Sequence, residues 1–544
     1  MVAGLLAALL VGFLWFGNLE FRDLADPDEG RYAEVPREII ATGDWVTPRL
    51  NDLKYFEKPP LQYWITAAAY RVFGVDEWVA RLGTAVAGLL GALVVLVAGS
   101  RLYGREVGAL AAAMLLGTLH YALFSHILTL DTTVTLFLTL TVLAFAAAQR
   151  DAARAAERRR WMLVAWASAA GAVLTKGLIG LVLPAGAVAA YVLVHRDWRL
   201  LSRLELARGV PLFFAICAPW FVVVSMRNPE FARFFFWHEH VERFLQPGHG
   251  RPGAWWYFLP ILAIGALPWL ALLAWSAPRW WRQEAAARFR PTRFLVIWVA
   301  VVFLFFSASH SKLPAYIEPV FPALALLGAS QVARIPARTL AFLLAAVVPA
   351  VVALALLVPF VPGHAHLEQA AAHLGPFLAW FEAGLVALGI ALIAAGAMAL
   401  RGRRTTAILT ASLGGLLAVT VAMTGHQFLS PTHSTETIFH RVEAEVTRAG
   451  RDVPFFSIET YDPSLSFELE RPVTLVAYRG ELDMGLAAEP GKGIATVGEF
   501  LVRWSEAADA FAIMRPSVYE RLAGHGVPMR VLARDARHVV VRRK

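Results

Sequence analysis

Acids, bases and aromatic residues alternate closely between residues 26 and 64. The chain reads Asp26-Pro27-Asp28-Glu29-Gly30-Arg31-Tyr32, then Gly43-Asp44-Trp45, then Tyr55-Phe56-Glu57-Lys58-Pro59-Pro60-Leu61-Gln62-Tyr63-Trp64. Further on, Asp131 follows His126-Ile127-Leu128-Thr129-Leu130 between two apolar runs, and Lys176 stands in Leu174-Thr175-Lys176-Gly177. Phe234-Phe235-Phe236-Trp237-His238-Glu239-His240-Val241-Glu242-Arg243 mixes aromatics with histidines, and Ser309-His310-Ser311-Lys312-Leu313-Pro314-Ala315-Tyr316 adds another cation. Asp28 and Asp131 are conspicuous acids, while Arg31, Lys58, Lys176, Arg243 and Lys312 are separated cations. Separated cations with few fixed partners suit an anionic head group. A carboxylate beside them can take a proton or stabilise developing positive charge. With 18 Trp and 34 Phe in the chain to wall an acyl or prenyl tail, the set outlines a site for a phospholipid-like substrate.

Each feature also has a purely structural reading. The loop 18–60 reads equally as an amphipathic stretch lying on a bilayer. Asp131 precedes Thr-Thr and an apolar run, as a helix N-cap does, and a cap at a membrane face can still turn into a site. Lys176 either snorkels toward the interface or binds an anion. His238 and His240 are two positions apart, not four as in the HExxH metal helix. A divalent ion such as zinc would therefore need a histidine such as His238 together with a carboxylate such as Glu57; the alternative is an aromatic interfacial belt with polar tips. Ordinary loop chemistry explains the segment around Lys312 as well as ligand binding does.

The elements that must position these residues follow from composition. Of 544 residues, 58% are hydrophobic and 17% charged, against about 25% charged in a soluble domain. Disorder, a coiled-coil rod and a disulfide scaffold are excluded, the last because Cys217 is the single cysteine. Thirteen apolar runs are candidate spans: 2–17, 82–100, 107–126, 132–149, 161–174, 177–194, 209–226, 256–277, 294–309, 314–333, 339–361, 377–400 and 405–425. With a cytoplasmic N-terminus, alternate loops from Arg101/Arg105 to Arg401/Arg403/Arg404 collect 21 arginines and few acids, as the positive-inside rule requires. The net charge of +9 is thereby explained as orientation, and nucleic acid loses its support as a partner. Residues 426–544 change character, with strand-length runs at 455–458, 473–477, 510–513, 529–532 and 538–541 and helical stretches near 436–449 and 496–507. The expected fold is an α-helical polytopic membrane protein of about thirteen transmembrane helices with a C-terminal soluble α/β domain. Its membrane part is 1–425, with a catalytic first outer loop 18–60 and an outer loop 227–255; residues 426–544 lie outside the cytoplasm.

Asp28-Glu29-Gly30-Arg31-Tyr32, Pro36-Arg37-Glu38, Gly43-Asp44-Trp45, Pro48-Arg49-Leu50-Asn51 and the stretch Tyr55 to Trp64 together resemble a first-loop signature. It is that of the polyprenyl-phosphate-dependent GT-C glycosyltransferases, and within them the bacterial lipid A aminoarabinose transferases. Ser311-Lys312-Leu313-Pro314-Ala315-Tyr316 is similar to a later segment of that family, and thirteen spans with an outer domain match its layout. Related undecaprenyl-phosphate glycosyltransferases share the first-loop signature, so it marks the branch more than the sugar. The resemblance implies a donor of undecaprenyl phosphate carrying 4-amino-4-deoxy-L-arabinose. It implies a lipid A phosphate as acceptor at the periplasmic face of the bacterial inner membrane, a periplasmic C-terminal domain, contact with membrane lipids, and polymyxin resistance as the outcome. It also implies that Asp28 and Glu29 are the acidic pair at the reaction centre and that Asp131 is a second functional acid. Lys58 and Arg243 are then donor-phosphate ligands, supported by Arg31, Lys176, Tyr55, Lys312 and Tyr316, with Glu57 and His238 as candidate metal ligands. No Gly-rich nucleotide loop is present, in keeping with a lipid-linked donor. Two other readings stay open: transfer of another sugar to a protein or glycolipid hydroxyl, with Asp28 as general base, and a lipid flippase or transporter, although no internal repeat supports the latter.

Overall fold

The computed structural model describes residues 2–242, 253–282, 287–357 and 371–544. All thirteen apolar runs fall on helices, some of them interrupted, over their described residues. They form α1 (Val2–Phe16), α4 (Glu77–Tyr103), α5 (Arg105–Leu116) with α6 (Leu119–Phe124), α7 (Asp131–Gln149), α8 (Ala155–Lys176), α9 (Ile179–His195) and α10 (Leu206–Arg227). These are followed by α11 (Phe258–Gly265) with α12 (Leu270–Arg282), α13 (Pro291–Ala308), a 3-10 turn Pro314–Val320 running into α14 (Phe321–Val332), α15 (Ala337–Ala345) with α16 (Val348–Leu357), α17 (Ala371–Leu400) and α18 (Arg404–Gly425). Among the described residues eight helical segments are long and apolar enough to span a membrane, or nine if α11 and α12, bent by 109°, count as one span. The chain is thus a multi-pass membrane protein, with a smaller count of full-length spans than of apolar runs. The physical reasons are local. At 15 residues α1 reaches about 22 Å, short of ~30 Å of hydrocarbon. α8 opens on Ala-Ala-Glu-Arg-Arg-Arg, which shortens its apolar part. The run 107–126 breaks at Gly117, where an added Cβ would lie 2.4 Å from the Ser412 backbone of α18, so close helix packing fixes the break.

Between α1 and α4 the first loop folds into α2 (Asp28–Thr42), the hairpin β1 (Arg49–Leu50) and β2 (Leu53–Lys54), and α3 (Leu61–Phe73). α2 is buried from Glu29 to Ile39 despite its charges. Arg37 donates to Glu34 at 2.6 Å, and Glu38 accepts the Asp52 N–H at 3.0 Å, so the burial leaves these charges satisfied. Gly43, at φ 73°, closes the helix with its N–H on the Ile39 carbonyl at 2.9 Å.

After α18 the chain builds a five-stranded sheet in the order β4-β3-β5-β7-β6, from β3 (Phe455–Ile458), β4 (Thr474–Val476), β5 (Phe511–Met514), β6 (Met529–Arg534) and β7 (Val539–Arg543). β3 runs parallel to β4 and β5, while β7 is antiparallel to β5 and β6. Side chains alternate between two cores. Phe455, Phe511, Ile513 and Val540 face Tyr32, Val35, Tyr55 and Tyr63 of the first loop. Phe456, Ile458, Ala512, Met514 and Val541 face Phe500 and Trp504 of the domain's own helices. The period of two thus glues one face of the sheet onto the first loop. The membrane helices pack around a separate core that includes Trp15, Trp269 and Trp298.

Candidate active site

A cavity of about 1000 Å³ opens at the end of the helix bundle where α2, α7 and α8 terminate against the sheet domain. Its wall takes residues from seven places: the start of α2, the Glu57-Lys58 corner, the stretch 124–129 before α7, the meeting of α7 with α8, the segment 234–239, the turn at 313–316, and the 480–484 segment of the C-terminal domain. Asp28 and Asp131 are each the first residue of a helix, where the positive end of the helix dipole favours a carboxylate. Asp131 does not cap α7: Leu130 holds the cap position and no side-chain cap bond is made. Lys176 is the last residue of α8, where a cation is favoured.

Each cation of this wall meets a carboxylate. Arg31 donates to Asp28 at 3.1 Å and also contacts Glu481 of the C-terminal domain. Lys58 donates to Glu239 at 3.2 Å and to the Glu57 carbonyl at 2.8 Å. Lys176 pairs with Asp131 and lies 4.7 Å from the centre of the Tyr316 ring. Glu318 accepts from Thr132 at 2.9 Å, one residue past Asp131, and is fully buried.

Of the residues expected from sequence, Asp28, Glu29, Arg31, Glu57, Lys58, Asp131, Lys176, His238 and Tyr316 line this one cavity. Three of the expected roles meet a different geometry. Glu29 is 1% exposed, and its oxygens are bound to Arg22 at 2.7 Å, Arg81 at 3.2 Å and the Leu128 N–H at 2.8 Å. It clamps the loop instead of standing free beside Asp28. Burial alone would raise its pKa, but Arg22 and Arg81 hold it well below the ordinary carboxylate range. Lys312 is not among the cavity's lining residues: its ammonium donates to the Ser307 and Ser309 carbonyls at the end of α13. Tyr55 sits behind the wall, with Arg31 5.9 Å above its ring, and is absent from the cavity lining. Arg243 lies outside the described residues. His238 Nδ1 donates to the Glu242 carboxylate at 2.8 Å. Among the described residues, the one place where three His, Cys, Asp or Glu side chains bring ligand atoms within 4.8 Å is Glu436, His440 and Glu468, outside this cavity. Glu57 with His238 alone falls short of the four-ligand set that structural zinc takes.

Sequence reasoning missed the contribution of the C-terminal domain. Glu481 and Asp483 join the wall, as do Glu239 and Asp26, giving eight Asp or Glu side chains against three Lys or Arg among the described residues; Glu29 is matched by Arg22 and Arg81 behind the wall, which leaves the acids in excess. Burial and the Asp462 charge push Asp26 up to about 8, against the opposing hydrogen bonds from Ser464. Burial likewise raises Glu481, with Glu57 and Asp28 adding to the shift and Arg31 opposing it. Glu481 carries no local motif that would single it out; only the docking of the sheet brings it here.

A narrower groove of about 320 Å³ adjoins the cavity and is walled by Leu178, Ile179, Val182, Phe305 and Phe306. Lys58, Lys176, Glu57, Glu239 and Tyr316 line both spaces, so two ammonium groups stand where a polar chamber meets an apolar channel.

Comparison with known proteins places this architecture. The family model of the aminoarabinose transferase C-terminal domain matches residues 440–543, and that of the dolichyl-phosphate-mannose-protein mannosyltransferases matches residues 57–222. The undecaprenyl phosphate-alpha-4-amino-4-deoxy-L-arabinose arabinosyl transferase of Erwinia tasmaniensis is 36% identical over 329 residues, which is 59% of this chain. That of Pseudomonas aeruginosa strain PAO1 is 36% identical over 330 residues, again 59% of this chain. The match spans 58% of the length of each of these two relatives. The crystal structure of ArnT from Cupriavidus metallidurans bound to undecaprenyl phosphate superimposes with a TM-score of 0.92 at 36% identity, covering 99% of this chain and 97% of that one. Its apo state gives a TM-score of 0.90. With that likeness running through both the helix bundle and the sheet domain, the chain belongs to the aminoarabinose transferase (ArnT) family and has its GT-C fold.

Proposed function

We propose that this protein transfers 4-amino-4-deoxy-L-arabinose from undecaprenyl phosphate to a phosphate of lipid A. The observation that carries the reading is the junction at Lys58 and Lys176, where an apolar groove runs into a carboxylate-rich chamber. A prenyl phosphate sugar has the same order of parts: apolar chain, anionic phosphate, amino sugar. The chain lies along Ile179, Val182 and Phe305, and the phosphate replaces Glu239 and Asp131 as partner of the two ammonium groups. The excess of carboxylates suits the sugar's ammonium, a cation that a neutral sugar would lack.

The reaction follows from that seating. The bond between the sugar C1 and the donor phosphate oxygen breaks, and its electron pair leaves with undecaprenyl phosphate. A phosphate oxygen of the acceptor forms the new bond to C1. An anionic acceptor needs no proton removed. Lys58 and Lys176 stabilise the charge growing on the departing phosphate. Asp28, 38% exposed and tethered by Arg31, faces the chamber and stabilises positive charge developing on the sugar ring. Glu29 is a positioning residue that fixes the start of α2 through Arg22 and Arg81.

The same reading puts the cavity on the periplasmic face of the inner membrane, with the arginine-rich loops in the cytoplasm. It divides the chain at 425/426 into a membrane part and a periplasmic domain. The test is lipid A mass spectrometry in a polymyxin-sensitive host lacking its own transferase. Expression of this chain together with donor synthesis is expected to add the amino sugar to lipid A phosphate and to raise polymyxin tolerance. Unmodified lipid A, with the sugar found on envelope proteins or another glycolipid, would favour a different acceptor. Donor lipid accumulating across the membrane with no sugar moved would favour a flippase.

A further inference from the structure

A second polar cavity, of about 930 Å³, lies where the sheet domain meets the ends of α17 and α18. His373 and Thr432, at the ends of two membrane-spanning segments, form its membrane-side rim. The facing wall carries four arginines, Arg441, Arg515, Arg534 and Arg537, against two acids, Asp462 and Asp535. Both acids are already engaged. Asp462 accepts from Arg537 at 3.1 Å and faces the His538 Nε2 at 2.6 Å. Asp535 accepts the backbone N–H groups of Arg537 and His538 at 2.7 and 2.6 Å. Arg441 and Arg515 have no ion-pair partner among the described residues, and Arg534 has only an exposed pair with Glu520 at 2.9 Å.

Two further features point to an anion. The nine-residue helix Pro516–Gly524 begins in this wall, with Arg515, Pro516 and Ser517 all lining it, so its positive dipole end lies there; Pro516 has no N–H and the Val518 N–H is bound to the Arg515 carbonyl at 3.0 Å. The buried Nη1 of Arg537 has no hydrogen-bond partner, while its Nη2 donates to Asp462 at 3.1 Å. A buried donor without a partner is costly and calls for an acceptor. Guanidinium forks together with a helix N-terminus are the standard protein grip on phosphate.

We propose that this cavity binds the phosphate of an anionic lipid headgroup, a phosphomonoester by class, in the leaflet at this end of the helices. The site is separate from the chamber holding Asp28. The two share no lining residue. The inference therefore does not depend on the sugar-transfer reading. One observation orients it: membrane helices supply one rim, so a headgroup can enter without its chains leaving the bilayer.

The test uses the full chain in detergent micelles and native mass spectrometry, with phosphatidic acid, phosphatidylcholine and inorganic phosphate as separate probes. Wild-type protein is expected to retain phosphatidic acid over phosphatidylcholine. Arg515→Ala with Arg534→Ala is expected to weaken that retention at least tenfold with an unchanged melting temperature, since both positions are exposed. Arg441→Glu provides an independent variant, expected to weaken retention in the same direction should the double variant fold poorly. Equal retention by wild type and these variants overturns the site. Inorganic phosphate binding as tightly as phosphatidic acid overturns the lipid assignment and gives the cavity to free phosphate.

Discussion

Asp28 and Glu29 are chemically alike and adjacent, yet α2 turns about 100° between them. Asp28 faces the chamber, whereas Glu29 accepts from Arg22, Arg81 and the Leu128 N–H. Their substitutions are expected to separate function from stability. Asp28→Asn should lower transfer by a hundredfold or more, equivalent to about 2.7–4 kcal/mol of lost stabilisation, with an unchanged melting temperature. Glu29→Gln should leave two buried guanidinium groups undercompensated and destabilise the protein by roughly 3–5 kcal/mol, read as a large fall in thermal stability in detergent. Sequence exposed the pair but not the division of labour, because Arg81 comes from α4 and nothing in the spacing shows that Arg22, seven residues upstream, turns onto Glu29 and not Asp28. It likewise left Lys312 open between loop chemistry and ligand binding, since nothing in the spacing shows that its ammonium folds back on the carbonyls ending α13. Asp26 gives a pH signature. Its folded pKa of about 8 lies above the ordinary value of 3.8, so the folded state holds a proton that the unfolded chain releases. That stabilisation is complete below about 3.8 and is lost as pH rises through about 8. Asp26→Asn is expected to flatten the pH dependence of the melting temperature across that window.

The first loop and the sheet domain form one packed unit, and Gly30 shows how tightly. A Cβ there would lie 2.6 Å from the Asp26 carboxylate and 2.6 Å from the Ser464 nitrogen at the start of the helix Pro463–Leu469. Gly30→Ala is expected to push that helix away, weaken the Asp26–Ser464 bond and destabilise the protein by about 1–3 kcal/mol, with a parallel loss of transfer as Glu481 shifts from Arg31. Thermal melting and the transfer rate should fall together, unlike in Asp28→Asn. The helices and strands themselves were legible: apolar runs matched helices, and the short runs at 455–458 and 510–513 fell on β3 and β5. Which elements touch was not legible, because the alternation in β3 and β5 shows two faces without saying what covers them. The first loop covers one, with Tyr32 and Tyr63 against that sheet core.

Across the molecule, the chamber's balance of charge departs from what separated cations in the sequence suggest. Each of Arg31, Lys58 and Lys176 already faces a carboxylate, and acids outnumber Lys and Arg there by eight to three among the described residues. A sugar bearing an ammonium group meets this excess favourably, while a neutral sugar does not. Lys58→Ala is expected to raise the KM for the lipid-linked donor and to lower kcat, because its ammonium attracts the phosphate both before and during departure. The most direct measurement is transfer by the purified protein, in detergent, from undecaprenyl-phosphate aminoarabinose to lipid A, followed by mass spectrometry of the lipid A. Wild-type protein is expected to add the amino sugar to a lipid A phosphate, with Asp28→Asn losing nearly all of this activity while folded. Transfer by Asp28→Asn at the wild-type rate, or no transfer by the wild type, would contradict the assignment of this chamber as the reaction centre.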